Sequence, residues 1–407
     1  MGPLAGIKVL DLSRILAGPW ATQLLADFGA TVWKVEKPGA GDDTRHWGPP
    51  WIKDGKGKPT PDSAYFASTN RGKFSLAIDF TKPAGQQLIR SLALRADVLV
   101  ENFKIGTLAK YRLGYQSMKG VNPRLIYCSI SAYGQDGPAA AEPGYDAMIQ
   151  AVSGLMSVTG VPDGEPGAGP VKVGVAVSDL ITGLYTANAI TAALVEREQS
   201  GRGDHIDIAL LDAQVAALAN QALNYLVTGK PPVRRGTAHP NIVPYQAFAT
   251  KDAWLMLAVG NDRQYESFCV AAGKPALARD RRFRTNADRV THRGLLIPEI
   301  EKLCRQKTTA AWLKLLQEAG VPCGPINNLA EVFDEPQVRH RKLRIELEHG
   351  AGGKLPLVRQ PALFGRLSST SAEPPPRLGA HTARVLSDEL GLTSDEILSL
   401  TRDGAVG

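Results

Sequence analysis

Residues 7–36, IKVLDLSRILAGPWATQLLADFGATVWKVE, decide the fold of the first part of the chain. The apolar run at its start predicts a buried parallel strand. A helix is predicted from Pro19 to about Phe28, because proline is favoured in the first helical turn, and Gly29 ends it. Residues 30–36 predict a second strand. This order of elements predicts a right-handed crossover in a parallel sheet.

The same alternation continues along the chain. Residues 83–95 predict an amphipathic helix, 97–103 a buried strand that ends in polar residues, and 123–134 another strand. A last helix is predicted to begin near Thr382. These patterns predict an α/β fold with a doubly wound, Rossmann-like large domain. The turn after the first strand has only Gly18 where a dinucleotide site needs three glycines, which argues against an NAD enzyme.

The length of 407 residues predicts two domains, because a single core usually stops growing well below that size. We assign residues 1–200 and 326–407 to the large domain. Residues 201–230 are predicted to be a linker segment that carries its own strand and helix. Residues 231–325 are predicted to form a smaller α+β domain.

Composition limits the function further. Hydrophobic residues make up 43% and charged residues 21% of the chain, as in ordinary globular proteins. The longest apolar runs are too short to span a membrane, and the start of the chain shows no targeting pattern, so a cytoplasmic protein without membrane contact is predicted. The net charge of +7 is spread along the sequence, which favours an anionic small ligand over nucleic acid.

The cysteines and histidines show no metal-binding spacing. The four cysteines lie far apart in the sequence, at Cys128, Cys269, Cys304 and Cys323. Buried thiols are therefore predicted, and no metal site.

Residues 169–185, GPVKVGVAVSDLITGLY, contain the strongest candidate for chemistry. The alternating apolar residues 171–177 predict a buried strand, with Gly174 marking a close backbone approach. Helical spacing begins at Leu180. Asp179 is thus predicted where a strand turns into a helix, beside free backbone N–H groups. Such an aspartate either caps the helix or is held there as a reactive carboxylate, and the pattern alone leaves both open.

Several stretches together resemble the class III coenzyme A transferases, the family of formyl-CoA:oxalate and carnitine CoA-transferases. They follow in order over nearly the whole chain: Lys8–Leu12 with Leu16–Pro19, Val35–Asp42, Asn70–Lys73, Val100–Phe103, Gly144–Asp146, Ala176–Asp179, Gly201–Gly203 and Gly379–Thr382. In addition, residues 236–248 and 321–328 resemble the succinyl-CoA:glutarate branch of this family.

The resemblance implies a function and an assembly. Asp179 matches the family's nucleophile, which takes CoA from an acyl-CoA as an aspartyl-CoA thioester and passes it to a carboxylic acid. Succinyl-CoA and a small dicarboxylate such as glutarate are the implied substrates. CoA thioesters act as substrates, and no permanently bound cofactor is implied. The family assembles as an interlocked homodimer, which is therefore the expected state.

The resemblance also implies residues that bind CoA. Lys37 and Lys110 fall where formyl-CoA transferase has arginines for CoA phosphates, so that the charge is kept but the bidentate fork is lost. Taken alone, each lysine is typical of a solvated surface charge. The other positions that match CoA-lining stretches are Leu16, Ala17, Arg71, Lys73, Asn102, Phe103, Tyr145 and Asp146.

Two departures from the family pattern bear on the reaction. Tyr145 stands where the related α-methylacyl-CoA racemases have a catalytic histidine, and a phenol is a poor base at neutral pH, which favours a transferase. A mobile glycine run of formyl-CoA transferase is reduced to Gly260. Cations for the second carboxylate of the acceptor are predicted among Arg14, Arg45 and His239. A racemase, a transferase for another acid and a CoA-binding protein without catalysis remain alternatives.

Overall fold

The computed structural model describes residues 2–407. The strands are β1 (Lys8–Asp11), β2 (Thr31–Glu36), β3 (Trp51–Lys53), β4 (Pro59–Ser63), β5 (Lys73–Ala77), β6 (Val98–Glu101), β7 (Ile126–Ser131), β8 (Gly160–Val161), β9 (Gly169–Pro170), β10 (His205–Ala209), β11 (Tyr245–Ala249), β12 (Trp254–Ala258), β13 (Cys323–Pro325), β14 (Arg344–Glu348) and β15 (Lys354–Val358).

The helices are α1 (Ala17–Asp27), α2 (Ala64–Thr69), α3 (Pro83–Arg95), α4 (Thr107–Lys110), α5 (Tyr115–Val121), α6 (Asp146–Val152), α7 (Leu155–Val158), α8 (Val177–Ser200), α9 (Leu210–Ala217), α10 (Asn220–Thr228), α11 (Asp262–Ala271), α12 (Pro275–Arg279), α13 (Asn286–Thr291), α14 (Arg293–Cys304), α15 (Thr309–Glu318), α16 (Leu329–Asp334), α17 (Pro336–His340), α18 (Thr382–Leu390) and α19 (Ser394–Arg402). One 3₁₀ helix spans Asp43–His46.

The chain divides into two compact units. The first unit comprises the residues up to 155 together with 172–229 and 337–407, and the second comprises 156–171 and 230–336. Residues 201–229 of the segment predicted as a linker lie in the first unit, where β10 pairs with β7 and extends its sheet.

A parallel six-stranded sheet forms the centre of the first unit, in the order β10-β7-β6-β1-β2-β5. From β1 the chain builds outward through β2 to β5, and it then returns to the other side of β1 to add β6, β7 and β10. The order therefore reverses between β1 and β6. Ligands of open α/β sheets bind beside the carboxyl ends of strands at such a reversal.

Both faces of this sheet are covered by helices. Side chains alternate along each strand, so that Leu10 and Leu99 pack in one core cluster with α3 and α18. Their neighbours Val9 and Val98 pack in a second cluster with α1 and α8. The predicted α/β fold with a doubly wound sheet is confirmed for this unit.

The predicted strand at 171–177 is wrong. Residues 172–176 form an extended loop, and α8 begins at Val177. Val171 and Val175 are 48% and 56% exposed, and a side chain at Gly174 would meet no atom within 4 Å. This segment pairs with no strand; instead the Val173 backbone N–H donates to Gln150 Oε1 at 2.9 Å.

The second unit has its own core. Strands β11, β12 and β13 form an antiparallel sheet, and helices α11, α14 and α15 pack against it around Phe248, Phe268, Leu296 and Trp312. This α+β arrangement surrounds a cluster of fully buried aromatic and aliphatic side chains.

Candidate active site

A pocket of about 200 Å³ lies in the first unit where the sheet order reverses. Its walls come from the segments that follow β1, β6 and β7, together with the first turn of α8. The structure brings these sequence-predicted residues together in it: Arg14, Leu16, Ala17, Asn102, Phe103, Tyr145 and Asp179. The segment 140–143, Ile15 and Lys104 also line the pocket and were missed.

Asp179 is the third residue of α8. The helix has Ala176 as its N-cap residue, and no side chain of the helix start caps its own amides. Asp179 therefore does not cap α8, which was the alternative reading of its sequence context. The carboxylate lies in the first turn of a 24-residue helix, where the helix dipole favours a negative charge.

Asp146 supplies the missing cap from another helix. Its buried Oδ1 accepts hydrogen bonds from the backbone N–H groups of Ser178 at 2.8 Å and Asp179 at 3.3 Å. Gln150 Nε2 donates to the other carboxylate oxygen at 2.6 Å. Asp146, which we predicted to bind CoA, thus has its carboxylate engaged by α8 and by Gln150, and it does not line the pocket.

Burial and the neighbouring Asp146 carboxylate raise the pKa of Asp179 to about 7. Burial is the larger effect, because a carboxylate that loses water favours its neutral form. Perturbed carboxylates of this kind in a pocket are typical of acids, bases and nucleophiles. At neutral pH a substantial share of the Asp179 carboxyl groups is ionised and more basic than an ordinary aspartate.

The loop after β1 is held to the loop after β6 by a reciprocal pair of hydrogen bonds. The Arg14 backbone N–H donates to Asn102 Oδ1, and Asn102 Nδ2 donates to the Arg14 carbonyl, both at 2.8 Å. The Arg14 guanidinium lies 4.9 Å from the centre of the Phe103 ring and stays exposed. Asn102 therefore shapes the pocket wall, and its polar atoms are already paired with the Arg14 backbone.

Tyr65 is a neighbour of the site that sequence reasoning missed. Burial, followed by the negative charges of Asp179, Asp146 and Asp42, raises the pKa of Tyr65 to about 12. The ring packs edge-on against Trp47 at 5.1 Å between centroids. The phenol is therefore neutral at physiological pH. Nothing in the sequence of α2 signals that Tyr65 lies near Asp179.

Three of the predicted basic residues are engaged in buried ion pairs instead of lining the pocket. Arg71 donates to both carboxylate oxygens of Asp27. Arg45 donates twice to Glu36 and once to Asp62, which are all buried: these contacts are Nε to Oε2 at 2.7 Å, Nη2 to Oε1 at 2.8 Å and Nη1 to Oδ1 at 2.5 Å.

Lys73 is the third, and it is fully buried. Its ammonium group donates to Asp11, to the Pro19 carbonyl and to Asn70, at 2.9–3.1 Å. Burial lowers the pKa of Lys73 to about 8. These three side chains tie strands and helices together, because a buried charge needs close partners.

The remaining predicted residues lie elsewhere. Lys37 and Lys110 are exposed on the first unit and form no ion pair with any of residues 2–407. His239 and Gly260 belong to the second unit. There, His239 Nδ1 accepts from the Asn241 backbone N–H, and the Gly260 backbone N–H donates to Gln264.

Within residues 2–407, no group of three or more His, Cys, Asp and Glu side chains is arranged to hold a metal ion.

The four cysteines are free thiols, and the Cys128, Cys269 and Cys304 side chains are buried. None of the helices described is both long and apolar enough to cross a bilayer.

Comparison with known proteins identifies the family of this chain. The model of CoA-transferase family III matches residues 4–382. The chain belongs to CoA-transferase family III. The resemblance found in the sequence motifs is therefore confirmed, and the pocket with Asp179 lies within the matched region.

Individual members of family III are similar over almost their full length. The chain is 48% identical to succinate–glutarate CoA-transferase of Agrobacterium fabrum, over 95% of both chains. It is 44% identical to human succinyl-CoA:glutarate CoA-transferase, over 99% of this chain and 90% of that one. The crystal structure of a CaiB/BaiF family protein from Brucella suis superposes with a TM-score of 0.83 at 45% identity, covering 95% of this chain and 99% of that one.

Proposed function

We propose that this protein transfers coenzyme A from succinyl-CoA to glutarate or a similar small dicarboxylate, with Asp179 as the covalent nucleophile. The observation that carries the proposal is the Asp179 carboxyl, whose pKa is raised to about 7 at the pocket of a family III fold. A desolvated carboxylate of raised basicity is a better nucleophile than a solvated one. Names of relatives at 44–48% identity support the two substrates.

The chemistry divides into four displacements. The Asp179 carboxylate attacks the thioester carbonyl of succinyl-CoA and expels the CoA thiolate, which leaves a mixed anhydride. The thiolate attacks the Asp179 carbonyl of that anhydride, so that succinate departs and an aspartyl-CoA thioester remains. A glutarate carboxylate then attacks this thioester and again expels the thiolate. The thiolate finally attacks the glutaryl carbonyl, which gives glutaryl-CoA and restores Asp179.

The pocket fits the thiol end of CoA. Its lining is largely apolar and includes Ile15, Leu16, Ala17 and Phe103, which keeps water away from a reactive anhydride. The exposed lysines Lys104, Lys37 and Lys110 of the same unit offer positive charge for the phosphates. Lys104 directly follows the Val100–Phe103 stretch, which was the available sequence signal for it.

Arg14 remains the candidate for the second carboxylate of the acceptor. It lines the pocket and carries an exposed guanidinium, whose ion-pair partner is Asp43 at 3.4 Å. Arg45 is no longer a candidate, because Glu36 and Asp62 already satisfy its charge. A dicarboxylate that displaces Asp43 from Arg14 would gain a bidentate contact.

A homodimer is part of the proposal. Helices α8 and α10 of the first unit carry large apolar side chains that are exposed in the single chain: Leu184, Tyr185, Leu223, Leu226 and Val227. A group of large apolar side chains exposed on neighbouring turns of helices is typical of a protein interface.

The function is tested by mixing the protein with succinyl-CoA and a panel of acids and separating the CoA thioesters by chromatography. Glutaryl-CoA should form faster, at equal concentrations, than the thioesters of oxalate, formate or carnitine. Faster transfer to oxalate would refute the acceptor, and epimerisation of a 2-methylacyl-CoA without transfer would refute the reaction.

A further inference from the structure

The loop between β1 and α1 contains a strained residue at the pocket wall. Ile15 has φ +70°, in the left-handed region. A β-branched side chain avoids this region, because its two branches clash with the backbone. The other non-glycine residues with positive φ within residues 2–407 are Arg112, Ala219 and Lys342, and none of them is β-branched. Strain of this kind persists only where surrounding contacts hold it.

A buried carboxylate holds Ile15 in this conformation. The Ile15 backbone N–H donates to both oxygens of Asp42, at 3.3 and 3.2 Å. Asp42 itself is 1% exposed, and Lys34 Nζ donates to its Oδ2 at 2.9 Å. The Thr44 backbone N–H and hydroxyl donate to its Oδ1 at 3.0 and 2.8 Å. Both oxygens of this carboxylate thus accept hydrogen bonds from fixed donors on Ile15, Lys34 and Thr44.

The same ion pair reaches the loop at a second point. Lys34 Nζ also donates to the carbonyl of Ser13 at 3.0 Å. The residue between, Arg14, has its backbone N–H and carbonyl bonded to the Asn102 side chain. The backbone groups of Ser13, Arg14 and Ile15 are therefore held by side chains from three separate places: Lys34 of β2, Asp42 at the start of the 3₁₀ helix, and Asn102 after β6.

We propose that Asp42 is a positioning residue for the acyl-CoA pocket, which acts by holding Ile15 in the left-handed conformation that places residues 14–17 along the pocket wall. The proposal rests on the proposed function, since it takes this pocket to bind the CoA thioester. Asp42 does not line the pocket itself. It acts through the backbone of the turn.

The substitution Asp42→Asn tests whether Asp42 positions the turn at residues 14–17. An amide keeps one acceptor oxygen and places an NH₂ group where the carboxylate accepted from Ile15, Thr44 and Lys34, so at least one donor loses its partner. Asp42→Asn should raise KM for succinyl-CoA about tenfold while kcat changes less than about twofold, because the Asp179 end of the pocket is untouched. Asp54→Asn is the matched control: Asp54 also accepts from backbone N–H groups, of Lys56 and Lys58, in a hairpin outside the pocket.

A double-mutant cycle shows whether Asp42 acts through Ile15. Glycine adopts a positive φ without strain, so in an Ile15→Gly background the Asp42→Asn change should raise KM by less than about twofold. An equal rise in both backgrounds would overturn the proposal. If the single Asp42→Asn variant is insoluble, a soluble double variant supports the proposal, and insolubility of both overturns it.

A comparison at position 15 tests the strain without touching Asp42. Glycine normally destabilises a site relative to alanine, because it has more freedom in the unfolded chain. A left-handed site reverses that order, so Ile15→Gly should melt at a higher temperature than Ile15→Ala. The opposite order would overturn the proposal.

A binding measurement separates this proposal from the proposed function. The Kd for free CoA, measured by calorimetry, should follow the same pattern as KM across these variants. A wild type that binds CoA but transfers nothing would refute the proposed function, and the Kd values would still decide the role of Asp42.

Discussion

The backbone nitrogen of Asp179 lies 3.3 Å from Oδ1 of Asp146, so that one carboxylate caps the helix start that carries the other. This contact fixes the backbone position of Asp179 and places a second negative charge beside its carboxylate. The two effects oppose each other for ionisation: the helix start favours an anion, while burial and Asp146 raise the pKa of Asp179 to about 7.

The rate of CoA transfer should depend on the ionisation of Asp179. The proposed nucleophile is the deprotonated carboxylate, so kcat/KM should increase as the pH rises through about 7 and then level off. The measurement is the initial rate of glutaryl-CoA formation at low succinyl-CoA concentration between pH 5.5 and 8.5. A flat profile over this range would contradict the raised pKa.

Replacing Asp146 should move that profile. Asp146→Asn removes the neighbouring charge, so the pKa of Asp179 falls and the midpoint shifts to lower pH. Asn still accepts one hydrogen bond from the α8 amides, so the stability loss should be at most about 1 kcal/mol. Gln150→Glu, which restores a carboxylate in contact with position 146, should shift the midpoint of the Asp146→Asn variant back up. An unchanged midpoint in Asp146→Asn would show that the charge is not felt at Asp179.

The Asp179 carboxylate should also reduce the stability of the folded protein above neutral pH. The pKa of Asp179 is raised in the folded protein, from 3.8 to about 7. Between these values the folded chain keeps a proton that the unfolded chain has lost, so stability falls as the pH rises through this window. Asp179→Asn removes the effect and should stabilise the protein by on the order of 1–2 kcal/mol at pH 8 and hardly at all at pH 4.

Thermal unfolding at both pH values measures this difference, with Asp136→Asn, which changes an exposed carboxylate, as the control. A destabilised Asp179→Asn variant at pH 8 would mean that the carboxylate is a favourable structural group.

Substitution of Arg14 should impair glutarate binding, whereas substitution of Arg45 should destabilise the fold. Arg14→Met should raise KM for glutarate about tenfold or more and leave the melting temperature unchanged, because its guanidinium is exposed. Arg45→Met should destabilise the fold by about 3–5 kcal/mol, because it leaves Glu36 and Asp62 buried without their cation. Kinetics and thermal melts on both variants check this. An unaltered glutarate KM in Arg14→Met would exclude it as the acceptor's partner.

The chain should be dimeric even when dilute. Light scattering at nanomolar to micromolar concentration should give twice the chain mass, and an interlocked dimer should not dissociate on dilution. Leu226→Glu on the exposed apolar face of α10 should reduce the amount of soluble dimer, whereas Leu94→Glu, which changes another exposed leucine on α3, should not. A monomeric wild type at low concentration would rule out interlocking.

Local signals in the sequence predicted much of the fold. Helices α3 and α18 begin where they were predicted, at Pro83 and Thr382, because each starts after a clear change from polar turn to helical spacing. The first crossover was also predicted, since Gly29 ends α1 with a positive φ. These features depend on residues close together in the sequence.

Features that depend on distant contacts were not predictable in this way. The valines of 171–177 alternate as in a strand, but the backbone N–H of Val173 donates to Gln150 of α6, a residue 23 positions away, and not to a strand. Arg45 was predicted to bind the acceptor carboxylate, but its guanidinium forms an ion pair with Glu36 of β2. The cap that Asp146 provides for α8 joins residues 32 and 33 positions apart. No local pattern contains such pairings.

The covalent role of Asp179 is tested most directly by trapping the intermediate. The protein is incubated with succinyl-CoA, quenched with hydroxylamine and mapped by peptide mass spectrometry, with Asp179→Asn treated in parallel. Hydroxylamine attacks an aspartyl thioester or anhydride and should leave a hydroxamate at Asp179 in the wild type alone, while the variant loses on the order of a million-fold in kcat. A hydroxamate at another residue, or an Asn variant that transfers CoA at the wild-type rate, would contradict the account.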